Sequence, residues 1–378
     1  MKGGEFRFNA RELAGSMGDF GTLLPLAIGY IMVVGMNPAG FLVVMGLTNI
    51  ALGLTYRIPM PLQPKKVVAA VAISQGWRPG LVYGAGLGLG ISWLLLSATG
   101  LVDRLMKVTP SCVIRGMQVA LAILLGRLSV GMFSQGPFDS LGNWGLGLGA
   151  LATILLLRNN RYTPAALVLV VVGVLIPWLR GELSGVVRFD FELPPFTPPS
   201  WSDVGKGMVL AGLAQMPLTL TNACLSCGAL IRDYFPERPV PERRLLVNQG
   251  IMNTVAPFFG GMPMCHGAGG LAGQYTFGAR TGGAPIMEGM LEIGLGLFLS
   301  QSIVDIFSVF PMAIVGAMLL VVSFSLAWLA RDVNGKLEWT AVGATAAVSV
   351  ATNMALGFVT GLLLYYFGKR LALGRSGG

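Results

Sequence analysis

The chain has 378 residues, 54% of them hydrophobic and 11% charged, with a mean hydropathy of +0.70. An ordinary soluble protein carries about 25% charged residues, so a soluble enzyme and a nucleic-acid binder are both excluded. The formal net charge of +9 is then read as loop charge, because basic excess in membrane proteins gathers in cytoplasmic loops.

A helix needs about 20 apolar residues to cross a bilayer. Apolar runs with short polar breaks predict fourteen spans: 16–35, 38–56, 59–74, 79–101, 110–127, 141–157 and 162–180, then 204–230, 241–259, 262–275, 283–300, 304–328, 337–353 and 354–370. The expected fold is an all-α polytopic membrane protein. Residues 1–180 form a first seven-span repeat, 181–203 a linker rich in proline near its end (FELPPFTPPS), and 204–378 a second repeat. The N-terminus, MKGGEFRFNARELAGSMGDF, has no cleavable signal pattern, so the first span is expected to be retained.

Orientation follows from the positive charges. With both termini cytoplasmic, 18 Lys and Arg fall on the cytoplasmic side, 5 on the other, and Lys65, Lys66 and Arg115 within spans. A miscounted span would scramble that bias. Four cysteines (Cys112, Cys224, Cys227, Cys265) lie in or beside apolar segments without a disulfide or metal-finger spacing. The pair Cys224-x-x-Cys227 is read as small residues packing in a helix rather than as a redox motif.

Three patterns recur at nearly one offset: Met60-Pro61 with Met262-Pro263, Val102-Asp103 with Val304-Asp305, and VTP at 108–110 with VFP at 309–311. Their common order predicts a duplication. Seven spans per half makes the halves inverted, an arrangement that places a transporter's substrate site between broken helices at the midplane.

The two short spans carry the chemistry. In IPMPLQPKKVVAAVAIS, Pro59, Pro61 and Pro64 forbid a regular helix until about Pro64. A half-helix starting there offers free N–H groups and a positive dipole end, a natural anion site. Gln63 adds a neutral donor, and Lys65 and Lys66 add charge. The plainer alternative is a kink with snorkelling lysines, but paired lysines inside an apolar span are costly and usually functional.

In GGMPMCHGAGGLAGQYTFG, Pro263 precedes a second short helix, and Gly267, Gly269 and Gly270 permit close approach of a ligand. His266, the single histidine, is expected to donate to an oxyanion when neutral or to couple a proton when charged; a packed core histidine is the alternative. Asp19 in GDFGTLLPL would repel an anion and is assigned to proton coupling or to holding backbone. Gln215, Thr219, Thr221 and Asn222, around Pro217, are neutral donors facing the same site, or else interhelical hydrogen bonders. Glu288 and Glu292 share a helix face. They are either a proton site or, the favoured reading, partners of Arg or Lys near the cytoplasmic end, and Glu288 stands beside Asp19 as a proton-coupling candidate.

At these residues the sequence becomes familiar. PMPLQPKKVVAA and GGMPMCHGAGGLAGQYTFGARTGG closely resemble the two signature segments of the molybdate transporter family, a branch related to the sulfate permeases. GDFGTLLPL and QMPLTLTNA are similar to that family's first and eighth spans. Relatives usually have Met then Lys after the first QP. Here Lys65 stands at the Met position and Lys66 at the Lys position, so the functional assignment passes to Lys66. Where relatives often carry a basic residue, this chain has Thr276.

The resemblance implies a uracil-permease-like fold, with spans 1–4 and 8–11 as a substrate-carrying core and spans 5–7 and 12–14 as a gate. It extends the expected substrate site to Pro64, Met264, Cys265 and Ala268, beside Gln63, Lys65, Lys66, Gln215, Thr219, Asn222, His266, Gly267, Gly269 and Gly270. It also implies secondary uptake of molybdate by alternating access with protons. Sulfate or tungstate carriage, a nucleobase carrier and an anion channel are the alternatives. No Asp or Glu occurs at 204–230 or 262–275, which weighs against the nucleobase reading. No cofactor, metal or enzymatic activity is expected. The partners are the oxyanion, protons and the bilayer, with a homodimer among the assemblies allowed. The short C-terminal tail points to the molybdate branch, and the compact chain to a prokaryotic inner membrane.

Overall fold

The computed structural model describes residues 6–101, 109–157 and 165–375. Among them every regular element is helical except two strands of two residues each. Helix α1 (Ala10–Ser16) starts where the Asn9 side chain accepts from the Glu12 N–H at 3.0 Å. A single 3₁₀ turn then leads into α2 (Phe20–Met32). Helix α3 (Pro38–Tyr56) has Pro38 in its first turn and the Asn37 side chain as its cap. Strand β1 (Gln63–Pro64) and the short α4 (Lys66–Gln75) follow, then α5 (Pro79–Thr99), α6 (Ser111–Met132), α7 (Ser140–Leu157) and α8 (Ala165–Leu179).

The second half opens with α9 (Trp201–Tyr234), 34 residues long. Two stretches of it, Met208–Gly212 and Thr219–Ser226, widen to π-helical turns. Helix α10 (Glu242–Val255) precedes β2 (Met264–Cys265) and α11 (Ala268–Phe277). The chain continues through α12 (Gly283–Phe298), α13 (Ser300–Val309), α14 (Met312–Trp328), α15 (Lys336–Ala351) and α16 (Met354–Arg375).

Helices α3, α5, α6, α7, α9 and α14 with its 3₁₀ extension are long and apolar enough to cross a membrane. A bent pair, α12 and α13 at 89°, makes a seventh. The remaining helices are shorter or less apolar, so fourteen full crossings do not follow from helix length and hydropathy. The run expected as one span at 304–328 is broken: Pro311 cannot continue the preceding helix and instead begins α14. The first span is likewise assembled from α1, a 3₁₀ turn and α2. Segments 59–74 and 262–275 are extended first and helical second, as their prolines predict.

Packing divides the helices into two groups. In one, α3 lies along α12, and α5 lies against α10 and the start of α9; in the other, α6 packs on α14 and α15, α15 on α16, and α7 on α14. The 188–200 stretch is stitched to the first group. Asp190 and Glu192 N–H donate to the Phe298 and Leu297 carbonyls at 3.1 and 2.9 Å, and the Thr197 N–H donates to Phe258 O at 2.7 Å.

Of the counted charges, Lys2, Arg104, Lys107, Arg158 and Arg161 lie outside the described residues, as do Val102-Asp103 and Val108 of the repeat patterns. Met60-Pro61 and Met262-Pro263 lie in the segments just ahead of β1 and β2, and α11 starts 202 residues after α4.

The α3–α12 seam is built on glycines seven residues apart. A Cβ on Gly289 would meet the Gly46 carbonyl oxygen at 2.4 Å, and one on Gly282 the Gly53 oxygen at 2.2 Å. Pairing Gly46 with Gly289 and Gly53 with Gly282 means the helices run antiparallel. Such close backbone approach is how helices associate where lipid supplies no hydrophobic drive. Gly289→Ala must therefore push backbone from backbone. Overpacking of this kind costs about 1–3 kcal/mol, so the purified variant should unfold at a lower temperature than the parent in a detergent melt.

Candidate functional site

Strands β1 and β2 pair antiparallel, with Gln63 opposite Cys265 and Pro64 opposite Met264. The Lys65 N–H extends the ladder by donating to Pro263 O at 2.8 Å. Each strand runs straight into a short helix, so the first turns of α4 and α11 meet at the pair. Asn253 of α10 acts as a third strand: its Nδ2 donates to Met264 O and its Oδ1 accepts from the Met264 N–H, both at 2.8 Å.

The first turn of α4 is partly filled by α9. Gln215 Oε1 accepts from the Val67 N–H at 2.8 Å, and Gln215 Nε2 donates to Thr219 Oγ1 at 3.1 Å. Thr219 and Asn222 stand in the second π-helical stretch, and such bulges gather at functional sites. Asn222 is partly exposed, whereas Thr221 turns back to its own helix, donating to Pro217 O at 3.0 Å.

The two lysines part company. Lys65 is fully buried, and its Nζ donates to Gln249 Oε1 at 2.9 Å and Thr219 Oγ1 at 3.4 Å. Lys66 is partly exposed and makes no side-chain hydrogen bond or ion pair among the described residues. Gln249 is buried with its Nε2 unpartnered, a second donor left over beside Lys65.

In α11 the first intrahelical bond is Leu271 N–H to Gly267 O at 3.1 Å. The N–H groups of Ala268, Gly269 and Gly270 therefore have no helical acceptor. Gly269 is exposed, with open space where a side chain would stand. Gly267 and Gly270 are glycines for the opposite reason: a Cβ would lie 2.1 Å from Gln63 Oε1 in the first case and 2.7 Å from Asp19 Oδ2 in the second. Met264 and Cys265 contribute backbone, since their side chains are buried; the Cys265 thiol faces Pro64 O at 3.8 Å.

His266 stands in the packed arrangement, the alternative to an oxyanion donor. Its ring is fully buried, with Nδ1 at 3.2 Å from Pro61 O and Nε2 at 2.8 Å from Asn248 Oδ1. A neutral ring donates to Pro61 and accepts from the Asn248 amide in its other orientation; either way no ring nitrogen is left for an oxyanion. The histidine fastens the Pro61 segment to α10.

Asp19 holds a side chain rather than backbone. Its Oδ2 accepts from Gln63 Nε2 at 3.0 Å, while Asp19 Oδ1 and Gln63 Oε1 are buried without partners. The expectation that Glu288 and Glu292 pair with Arg or Lys is corrected. Both are buried, neither is in an ion pair among the described residues, and Glu292 Oε2 accepts from Asn49 Nδ2 at 2.8 Å. Thr276 is spent on its own helix, donating to Ala272 O at 2.7 Å.

Asn49, Asn248, Gln249 and Asn253 were not singled out from sequence. The available signal was the spacing of Asn248, Gln249 and Asn253, neutral amides on neighbouring helical positions of an apolar segment. Among the described residues no group of three or more His, Cys, Asp or Glu is placed to hold a metal. What converges instead is two helix N-termini, an unpaired ammonium and spare amide donors, a combination suited to an anion.

A family model described as "Molybdate transporter of MFS superfamily" matches residues 11–125 and 207–326. Molybdate transporter 2 of Arabidopsis thaliana is 32% identical over 94% of this chain and 86% of its own length. Molybdate transporter 1 of Chlamydomonas reinhardtii is 30% identical over 93% and 90%. The putative sulfate transporter YbaR of Bacillus subtilis (strain 168) is 25% identical over 80% of this chain and 63% of its own. The fold is shared with the transmembrane domain of the cyanobacterial bicarbonate transporter BicA, with TM-score 0.65, 17% identity and coverage of 94% and 97%. It is also shared with the murine anion transporter Slc26a9 in its inward-facing state, with TM-score 0.71, 13% identity and coverage of 98% and 69%.

The Asn253 bridge yields a prediction. Asn253→Ala strands a buried N–H and a buried carbonyl of Met264, each costing about 1–3 kcal/mol when unsatisfied. The variant should melt well below the parent, whereas Asn253→Asp, which keeps the acceptor, should recover part of the loss in the same assay.

Proposed function

Because the chain belongs to the molybdate transporter family, we propose that it carries molybdate across the membrane by alternating access. It is a multi-pass membrane protein of an anion-transporter family, and its relatives are transporters rather than enzymes. The observation that carries the substrate reading is the meeting of the α4 and α11 first turns at the strand pair, with Lys66 beside them in no hydrogen bond or ion pair among the described residues. A tetrahedral dianion needs donors from several directions. The N–H groups of Ala268, Gly269 and Gly270, the dipole ends and the Lys66 ammonium supply them without a rigid cage. Gln215 and Thr219 hold the first turn of α4 in place, Gln63 ties the strand ahead of it to Asp19, and Asn222 faces the same region.

In this proposal fourteen segments cross or enter the membrane as two inverted seven-span repeats. The matching strand–short-helix elements support this, as does the start of α14 201 residues after α6. The helix group containing α3, α5, α10 and α12 forms the core with α4 and α11, and the group around α6, α14, α15 and α16 the gate, in keeping with their packing. Both termini face the cytoplasm, and the membrane is the cell's inner one. Protons drive uptake through Asp19 and Glu288. Ionised Asp19 sets a negative charge beside the site, whereas protonated Asp19 donates to Gln63 Oε1 while still accepting from Gln63 Nε2, so the charge that opposes the anion is removed.

Molybdate binding to the purified protein, competed with sulfate and tungstate, tests the substrate class; no binding of any of the three would sink the proposal. Lys66→Gln keeps a donor but removes the charge. A hydrogen bond to a charged group is worth about 1.5–3 kcal/mol, so affinity per folded molecule should fall about tenfold or more. Lys66→Arg should retain more of it. Unchanged affinity in Lys66→Gln would remove that residue from the site.

Asp19→Asn should abolish accumulation driven by a pH gradient in proteoliposomes while leaving molybdate exchange at equal pH. Accumulation at the parental rate would take the coupled proton away from Asp19.

A further inference from the structure

Glu292 and Asn49 face each other inside the glycine seam of α12 and α3, where they are 6% and 1% exposed. Asn49 Nδ2 donates to Glu292 Oε2 at 2.8 Å. The second oxygen of each group, Asn49 Oδ1 and Glu292 Oε1, is buried without any hydrogen-bond partner. With Glu292 ionised both are acceptors. Two unsatisfied buried acceptors in one contact are costly, more so when one carries charge.

One proton removes both defects. A carboxyl and a primary amide already joined by one N–H···O bond close an eight-membered ring when the acid's O–H donates to the amide oxygen. We propose that Glu292 and Asn49 form a proton-binding site, in which the neutral carboxyl is closed onto the amide between α3 and α12. The site is separate from Asp19 and Gln63, and its existence does not depend on which anion is carried.

Among the described residues no cation is ion-paired with Glu292; Arg7 and Arg57 lie against Gly283 and Gly282 at the other end of α12. On α12 the neighbour one turn away is Glu288, and Asp19 is close enough for its charge to be felt at Glu292. Helix α3 offers Tyr56 as its one ionisable side chain, at its far end. From α1, Glu12 is occupied by the Arg280 and Thr281 N–H groups at 3.0 and 3.2 Å, and Arg11 lies against Gly278, short of α12. On α13, Asp305 accepts from Gln301 at 3.3 Å.

The test uses the full-length protein in detergent. Glu292→Gln brings its own N–H₂ in place of the acid O–H and reproduces the ring without a proton. It should melt no lower than the parent at neutral pH. The infrared difference spectrum, parent minus variant, should show a neutral carboxylic C=O stretch. Glu292→Ala and Asn49→Ala leave one buried partner unpaired and should melt lower by several degrees. A difference spectrum showing carboxylate bands, or Glu292→Gln destabilised as far as Glu292→Ala or unable to fold, would overturn the proposal.

Discussion

The pairing of Gln63–Pro64 with Met264–Cys265 is the constraint on which the rest of the structure depends. Inside a bilayer an interrupted helix exposes N–H and C=O groups that lipid cannot satisfy, at several kcal/mol each. Two interruptions placed side by side satisfy one another across a short ladder. What the ladder leaves open, side chains close: Asn253 takes both polar groups of Met264, and Gln215 takes the Val67 N–H. The prolines that break the helices thus force the two breaks together, and the half-helix N-termini come with them. On the proposed reading an anion site follows from that repair, because the first turns of α4 and α11 present N–H donors there.

The same junction explains why adjacent lysines have different fates. Lys65 is still extended backbone (φ −65°, ψ 111°), while Lys66 begins the helix. Side chains on either side of such a change point in different directions. Lys65 turns toward α9 and α10, where Gln249 and Thr219 receive it, and becomes part of the scaffold. Lys66 makes no side-chain hydrogen bond or ion pair among the described residues, and its nearby opposite charge is the Asp19 carboxylate. A charge buried with partners holds a fold together, and a partly exposed charge without one is available to a ligand.

The prolines at 59, 61, 64 and 263 are local instructions, so the broken spans, and with them the place of the proposed site, are legible from sequence. The apolar run at 304–328 hides its break, because hydropathy outweighed the single residue Pro311. The roles of His266 and Glu292 depend on what stands opposite, Asn248 and Pro61 for one and Asn49 for the other, and these lie on other helices. No spacing rule announces such partners. The π-helical turns that carry Thr219 and Asn222 are equally silent, since Pro217 reads as a kink whichever way the backbone accommodates it.

Two acid–amide pairs with one pattern sit in this core, equally buried. Asp19–Gln63 and Asn49–Glu292 each share a single hydrogen bond and leave one oxygen of each partner unsatisfied. Their settings differ. Gln63 belongs to the strand pair, close to the exposed Gly269 and to Lys66, so a proton on Asp19 has somewhere to go and an anion to follow. Glu292 lies between backbones held in contact by Gly46 and Gly289, where release of a proton would require the helices to part. On the proposed reading, identical chemistry serves exchange at the first position and permanence at the second. Access, set by glycines on either side, decides which.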